Sequence, residues 1–347
     1  MRLRALLSHL ATWLEAKGLP TLLRSRIGTS LYAALIAPWG YIREIRAVSA
    51  GQFLFFRASP GPHSPLLRRN IHRLEKGLSM QPRAQIFATE YIVETVEAYR
   101  GLRLSRGGDA TELIWAEDVL QTFFEVVEDS PEVLEARARF NALARLANRP
   151  PEDIPAARKT LPESRVDYET FLGLCRQRKS VRWFLPHRPS RETIEYALRA
   201  ALLAPSACNR QPFLFRYFDD PEEASRIAKI AMGTAGYADQ IPALVVVLGD
   251  FSCFPSMRDR HVPYIDASLA SMQFMLALET LGLASCAINW PDISGRERRM
   301  REALRLPPHL RPIMLIALGL PDPNGVVPHS AKKPTSSVLR TEGAILP

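Results

Sequence analysis

The sequence predicts a helical N-terminal half followed by a mixed domain of class α+β or α/β. Residues 1 to about 160 carry apolar residues at helical spacing and no convincing strand pattern. A proline-rich break follows at 148–155, where the prolines remove amide donors and disfavour helix. Beyond the break, short β-branched runs alternate with amphipathic segments. We therefore divide the 347 residues into a helical extension, 1–160, and a mixed domain, 161–347.

Four segments of the N-terminal half have the pattern of amphipathic helices. They are a run from Ile86 to Tyr99, the segments 113–127 and 131–147, and an early stripe of leucines, Leu3, Leu6, Leu7, Leu10 and Leu14. Basic residues flank the early stripe, among them Arg2, Arg4, Arg24 and Arg26. That stripe predicts either a packed helix or peripheral contact with an anionic membrane through residues 1–60.

The second half contains three strand candidates, at 213–218, 243–248 and 313–318. Ser190 is a predicted cap for a helix that carries Ile194, Leu198 and Leu202. Residues 264–283 form a long segment that is apolar on most sides, which predicts a helix buried in a core or in a subunit interface. Asp266 is interpreted as a carboxylate at the start of that helix rather than as a catalyst.

Composition narrows the function classes. With 47% hydrophobic and 23% charged residues, the chain is typical of a globular protein. The net charge of +9 suits nucleic acid, an anionic membrane or a phosphate-bearing cofactor, but no nucleic-acid motif is present. The apolar segment 31–42 is too short to span a bilayer, and we see no secretory signal, so we expect a cytoplasmic protein.

The four cysteines, Cys175, Cys208, Cys253 and Cys286, are far apart and form no metal-binding spacing with histidine. We expect reduced thiols, no disulfide and no metal.

Two polar motifs in the second half suggest a flavin mononucleotide site. The first contains Arg178, Lys179, Ser180 and Arg182, in which cations flank a small hydroxyl and suit a phosphate. The second contains Pro205, Ser206, Asn209 and Gln211, whose hydroxyl and amide groups suit the edge of a planar heterocycle.

These motifs stand in a fixed order with three later segments, 282–288, 318–321 and 332–334. In that order they resemble the nitroreductase family of FMN-dependent oxidoreductases, over about residues 170–340. The resemblance implies an α+β fold with a mostly antiparallel central sheet. It also implies an intertwined homodimer with two FMN sites at the subunit interface, and NAD(P)H as co-substrate in a ping-pong cycle.

The resemblance assigns each motif a role. Arg178, Ser180 and Arg182 are expected to contact the flavin phosphate, ribityl chain and ring edge, with Lys332 and Lys333 completing the phosphate clamp. The resemblance implies that Ser206, Asn209 and Gln211 come from the second subunit. The backbone after Ile288, at Asn289 and Trp290, is expected to donate a hydrogen bond to flavin N5.

The sequence departs from the family pattern at two places. Many relatives carry glycine where Trp290 stands, and its indole either covers the ring system or anchors a buried core. Residues 233–237 lack the asparagine and lysine that some members offer to the flavin pyrimidine. We predict no catalytic side chain, because the cofactor supplies the chemistry.

Residues 72–80 resemble a segment of a nitroreductase-like subgroup that has a helical N-terminal extension and is often associated with bacterial polysaccharide gene clusters. His72 and Glu75 are predicted to share a helix face, either acting over a substrate or forming a surface contact.

Three functions follow as hypotheses. The first is an FMN-dependent, dimeric oxidoreductase that uses NAD(P)H to reduce a nitroaromatic, a quinone or a biosynthetic intermediate. The second is a flavin oxidase or dehydrogenase that acts without nicotinamide. The third is a flavin-free scaffold at the membrane that assists polysaccharide assembly.

Overall fold

A computed structural model of the protein describes residues 26–35, 37–57, 61–105, 107–146 and 149–339. The described part of the N-terminal half is mostly helical, as predicted, although the run from Ile86 becomes helical only at Ile92 and the segment 131–147 ends as a helix at Asn141. Its helices are α1 Arg26–Leu35, α2 Ala37–Arg57, α3 Pro65–Leu78, α4 Ile92–Leu104, α5 Ala110–Val126 and α6 Pro131–Asn141. The early leucine stripe, with Arg2, Arg4 and Arg24, lies outside the described residues.

Helices α3 to α6 bury a core of their own, which includes Leu67, Tyr99 and Phe123. Side-chain oxygens of Ser64, Asp109 and Ser130 accept backbone N–H bonds at the starts of α3, α5 and α6. The proline-rich segment does break the helical pattern, but it folds back on α5, because the Asp118 carboxylate accepts the backbone N–H groups of residues 152 and 153. The division into units 1–160 and 161–347 stays a prediction.

The second half is an α+β domain. Its helices are α7 Tyr168–Gln177, α8 Arg191–Ala201, α9 Pro221–Ala228, α10 Val262–Thr280, α11 Ser294–Leu304 and the short α12 Thr335–Val338. Its strands are β1 Phe213–Phe218, β2 Ala243–Asp250, β3 Ala284–Asn289 and β4 Leu310–Gly319. The predicted strands and the long apolar helix are present, and Ser190 caps α8 as predicted.

The strands form one antiparallel sheet in the order β1-β2-β4-β3. Alternate residues of β2 point to opposite faces. Leu244, Val246 and Leu248 pack on the side that holds α9 and α11, and Val245 and Val247 pack on the side of α8 and α10. Both faces of the sheet are therefore filled, so polar groups that could meet a ligand are found at its edges.

Helix α2 docks on the second half of the chain. Arg43 donates to the backbone carbonyl and carboxylate of Asp292, at 2.9 and 2.8 Å, and to the Ser294 hydroxyl. Ala47 and Val48 are buried against Phe251. None of the helices in the described residues is long and apolar enough to cross a membrane.

Gly51 allows the closest approach in this contact, since a Cβ there would lie 2.3 Å from the Phe251 carbonyl oxygen. We expect Gly51→Ala to lower the free energy of unfolding by about 1–3 kcal/mol, because backbone must move to admit the methyl group. Gly101→Ala is the matched control. It also lies inside a helix, with nothing within 4 Å of its Cβ, and is expected to stabilise by about 0.5–1 kcal/mol. Thermal and denaturant unfolding would measure both, and equal effects would contradict the docking of α2.

Candidate functional site

The basic motif extends the sheet beyond β3. Ser180 forms a parallel bridge to Ser285, and the Val181 N–H donates to the Ser285 carbonyl at 3.1 Å. A little further along, the Leu185 N–H donates to the Leu320 carbonyl at 2.9 Å. The motif is thus fixed to the edge of the sheet by its backbone, which leaves its side chains available for a ligand.

We call Arg178, Ser180 and Arg182 the arginine cluster. All three residues are half-buried, and neither arginine forms an ion pair with a carboxylate of the described residues. The Arg182 guanidinium donates to the Ser180 carbonyl at 3.3 Å and lies 5.8 Å from the centre of the Tyr237 ring. Two unpaired guanidinium groups beside a serine hydroxyl have the chemistry that a phosphate requires.

Tyr237 and Cys286 lie next to the arginine cluster. Burial raises the pKa of the Tyr237 hydroxyl to about 12. Burial also raises the pKa of the Cys286 thiol, while the charge of Arg182 and hydrogen bonds from Tyr237 and Ser180 oppose that rise. Both groups are therefore neutral at physiological pH. Tyr237 belongs to the 233–237 segment, which reaches the site although it lacks the asparagine and lysine that some members of the family carry there.

The second motif forms a tight turn just before β1. Cys208, Asn209 and Gln211 have positive φ angles of 54°, 50° and 51°, a conformation that L-residues other than asparagine and aspartate seldom adopt. The Gln211 amide nitrogen donates to the Asn209 side-chain oxygen at 2.9 Å. We call Ser206, Asn209 and Gln211 the amide turn, because it places two side-chain amides together.

Asp266 fixes this turn. Its carboxylate accepts from the Ser206 hydroxyl at 2.7 Å and from the Ala207 N–H at 2.9 Å, while the Ser206 oxygen accepts from the Gln211 N–H at 2.8 Å. The interpretation of Asp266 as a carboxylate at the helix start was wrong, because it lies in the second turn of α10 and caps nothing there. Burial raises the pKa of Asp266, and the two hydrogen bonds oppose that rise.

The arginine cluster and the amide turn lie at diagonal corners of the sheet. Ser285, beside the cluster, pairs through Leu318 with Ala243 at one end of β2, whereas Phe213, after the turn, pairs with Gly249 near the other end. Six residues of β2 separate the corners along the strands, which is roughly 20 Å at about 3.4 Å per residue. Four strand spacings separate β1 from the segment at Ser180, which is roughly 19 Å at about 4.8 Å per spacing. One chain does not bring its two motifs together.

The remaining predicted residues are placed as follows. Trp290 is buried and its indole N–H donates to the Glu297 carboxylate at 3.0 Å, which makes it an anchor of the core rather than a cover for a ring. Ile288 is buried, Asn289 is exposed, and Pro205 is exposed beside the turn. Lys179 is half-buried, whereas Lys332 and Lys333 are exposed after β4.

Helix α3 covers the amide turn, a contact that the sequence did not predict. Arg68 donates through Nε to the Asn209 carbonyl at 2.8 Å and through Nη1 to the Glu112 carboxylate at 3.0 Å. Glu112 is buried and also accepts from the Ser64 N–H and meets the His63 ring nitrogen, each at 2.9 Å. The helical half thereby holds the backbone of the turn.

His63 gives this network a pH dependence. Its hydrogen bond to Glu112 raises the pKa of the imidazole above the ordinary 6.5, although burial opposes the rise. The stabilisation is therefore fully present below about pH 6.5 and is lost as pH rises through the higher folded pKa. We expect the melting temperature of the wild type to fall slightly over this window relative to His63→Gln. The effect is small because the half-exposed ring is screened by solvent. The prediction would be contradicted if the difference in melting temperature between the wild type and His63→Gln were the same at pH 6 and at pH 8.5.

His72 and Glu75 do meet on one face of α3. The His72 Nδ1 lies 3.2 Å from the Glu75 carboxylate, whose other oxygen accepts from the Trp115 indole N–H at 2.9 Å. The pair is thus tied to α5. In the described residues no group of three or more histidine, cysteine, aspartate or glutamate side chains could hold a metal ion.

The chain is similar to known proteins over part of its length. The model of the nitroreductase family matches residues 175–247 and 232–320. A candidate NADH dehydrogenase/NAD(P)H nitroreductase of Archaeoglobus fulgidus is 32% identical over 156 residues, which are 44% of this chain and 86% of the relative. Iodotyrosine deiodinase 1 of Homo sapiens is 26% identical over 220 residues, 55% of this chain and 75% of the relative.

Among solved structures, an FMN-dependent nitroreductase from Clostridium difficile has a TM-score of 0.40 and 23% identity, over 50% of this chain and 98% of that one. The relative from Archaeoglobus fulgidus and the family match together show that the chain belongs to the nitroreductase family. It is an oxidoreductase of that family.

Proposed function

We propose that the protein is a homodimeric, FMN-dependent oxidoreductase that carries two electrons from NAD(P)H to an organic acceptor in a ping-pong cycle. The observation that carries the proposal is the arginine cluster, in which two guanidinium groups without carboxylate partners adjoin a serine at a sheet edge. An unpaired, half-buried cation is costly unless an anion offsets it, and a phosphate would do so here.

The residues present fit FMN. Arg178 and Arg182 would hold the phosphate, Ser180 the ribityl chain, and the two amides of the amide turn the edge of the ring system. When bound, FMN supplies hydride acceptance at N5 and transfer of the electrons to the acceptor. The protein's part is to bind, orient and shield the ring, and Trp290 supports this indirectly by fixing the backbone after β3.

A second copy of the chain is needed to complete this site. A flavin that touched both motifs of one chain would have to cross a sheet whose two faces are packed. Helix α10 also exposes an apolar stripe of Ile265, Leu269 and Met272, which are 55%, 42% and 40% exposed. Residues at this spacing share one helix face, and burying them against a second copy would remove apolar area from water. We propose that this dimer acts in the cytoplasm.

The absorption spectrum of the purified protein tests the proposal. We expect the absorption bands of oxidised flavin in the near-ultraviolet and blue. These bands should bleach when NADPH is added in the absence of oxygen and recover when a quinone is added. Bands that persist with NADPH would favour the flavin oxidase or dehydrogenase. A colourless protein that takes up no added FMN would overturn the proposal, and its flotation with anionic liposomes would favour the scaffold.

A further inference from the structure

Arg210, inside the amide turn, is a buried cation whose charge is not neutralised locally. The residue is 9% exposed, and its Nε is buried without a hydrogen-bond acceptor. The guanidinium stacks 4.7 Å from the centre of the Phe254 ring. Burial lowers the pKa of Arg210. Because the buried Nε–H donor of Arg210 has no acceptor, this position has the chemistry of a binding site for an anion.

The nearest acidic groups do not fill that place. The charges of Asp266 and Asp259 act on Arg210 only through space, because neither carboxylate lies within 4.0 Å of the guanidinium. Asp266 is occupied by the Ser206 hydroxyl and the Ala207 N–H. The carboxylate of Asp259 adjoins Arg258 at 3.7 Å.

A second cation lies on the helix that packs against the turn. The bond from Arg68 to the Asn209 carbonyl fixes α3 against the turn, and Arg69 is the next residue on that helix. Arg69 is half-buried, and its charge contributes to the lowered pKa of Arg210. It forms no ion pair with a described carboxylate. The positive charges of Arg69 and Arg210 therefore repel each other, and an anion bound by both would offset that repulsion.

We propose that Arg210 and Arg69 bind the anionic group, a carboxylate or a phosphate, of the organic acceptor. This rests on the proposed function, because the neighbouring Asn209 and Gln211 would hold the flavin ring on which the acceptor stacks. The planar fork of a guanidinium matches either anion with two parallel hydrogen bonds. The helical half would thereby select the substrate, since it supplies one of the two cations.

The first test compares two acceptors that differ in charge, 4-nitrobenzoate and 4-nitrobenzamide, with NADPH as donor. The measured quantity is the kcat/KM for 4-nitrobenzoate divided by the kcat/KM for 4-nitrobenzamide. We expect Arg210→Gln to lower this ratio by roughly ten- to a hundredfold, which is the effect of losing a hydrogen bond to a charged group. Arg69→Gln should lower the ratio less. Arg258→Gln is the control, because Arg258 is an exposed arginine four residues after Phe254, and it should leave the ratio unchanged. An unchanged ratio in both Arg210→Gln and Arg69→Gln would overturn the proposal.

The second test does not depend on turnover. Calorimetric titration of the purified protein with 4-nitrobenzoate and with 4-nitrophenyl phosphate would show which anion binds more tightly. Binding should weaken in Arg210→Gln for whichever anion is preferred. If NADPH does not bleach a flavin but these anions still bind through Arg210, the proposed function fails and the anion site stands. If flavin chemistry is intact but neither anion binds better than 4-nitrobenzamide, the anion site fails alone.

Arg210→Gln also separates a ligand site from a structural role. Because the guanidinium has no ion pair to lose, we expect its replacement to leave the melting temperature unchanged or to raise it. A large fall would assign Arg210 to the packing on Phe254, and Arg69→Gln would then decide the proposal.

Discussion

Replacing Arg178 and Arg182 together with glutamine is expected to weaken FMN binding by at least roughly a hundredfold. Each guanidinium would contribute a charge-assisted hydrogen bond worth about 1.5–3 kcal/mol, and about 1.4 kcal/mol corresponds to a tenfold change in affinity. Glutamine keeps a polar, though shorter, side chain but removes the charge. Since neither arginine pairs with a described carboxylate, the double replacement breaks no ion pair of the fold.

The measurement is the quenching of FMN fluorescence on titration with protein from which the flavin has been removed. Riboflavin, which lacks the phosphate, is titrated in parallel. The wild type should prefer FMN, and the double variant should lose most of that preference while binding riboflavin nearly as before. Arg176→Gln is the control, because Arg176 is exposed near the end of α7, two residues before the cluster. A double variant that retains the preference would show that the phosphate is held elsewhere.

Local sequence patterns predicted three of the four strands and the long apolar helix. The runs at 213–218, 243–248 and 313–318 are short, apolar and bounded by turn residues, so the signal for strands is contained in each run. Ser190 acts on a backbone group three residues away, and its role as a cap was equally local. The pairing of the basic motif with β3 depends on residues far apart in the chain, and the order of the motifs alone did not predict it.

The contacts that the sequence did not reveal join residues far apart in the chain. Asp266 acts on a turn 60 positions earlier, and Arg68 bonds a carbonyl 141 positions later. Neither has a neighbour in sequence that identifies its partner. Tyr237 was overlooked for a related reason, since an aromatic residue in a glycine-rich loop is equally compatible with packing and with a site. The alternatives left open at Trp290 needed the position of Glu297, which only the folded chain supplies.

The proposal that each site combines motifs from two subunits leads to the sharpest expected result. One variant carries Arg178→Gln and Arg182→Gln, and the other carries Asn209→Gly and Gln211→Gly. Glycine removes the two amide side chains but adopts the positive φ of both positions without strain, so the turn is retained. Each variant alone should form dimers in which both sites are damaged.

Co-expressed with different affinity tags and purified by both, the two variants should form a heterodimer with one fully intact site. One site combines the intact arginine cluster of the second variant with the intact amide turn of the first, and the other site combines the two damaged motifs. We expect one FMN bound per two chains with wild-type affinity, and NADPH oxidation at about half the wild-type rate. If each site were built from one chain, every site in the heterodimer would be damaged and no recovery would occur. Separately purified variants that are mixed just before assay are the control, because subunits that have not exchanged cannot complement. Recovery in the heterodimer alone would establish that each site combines the arginine cluster of one chain with the amide turn of the other.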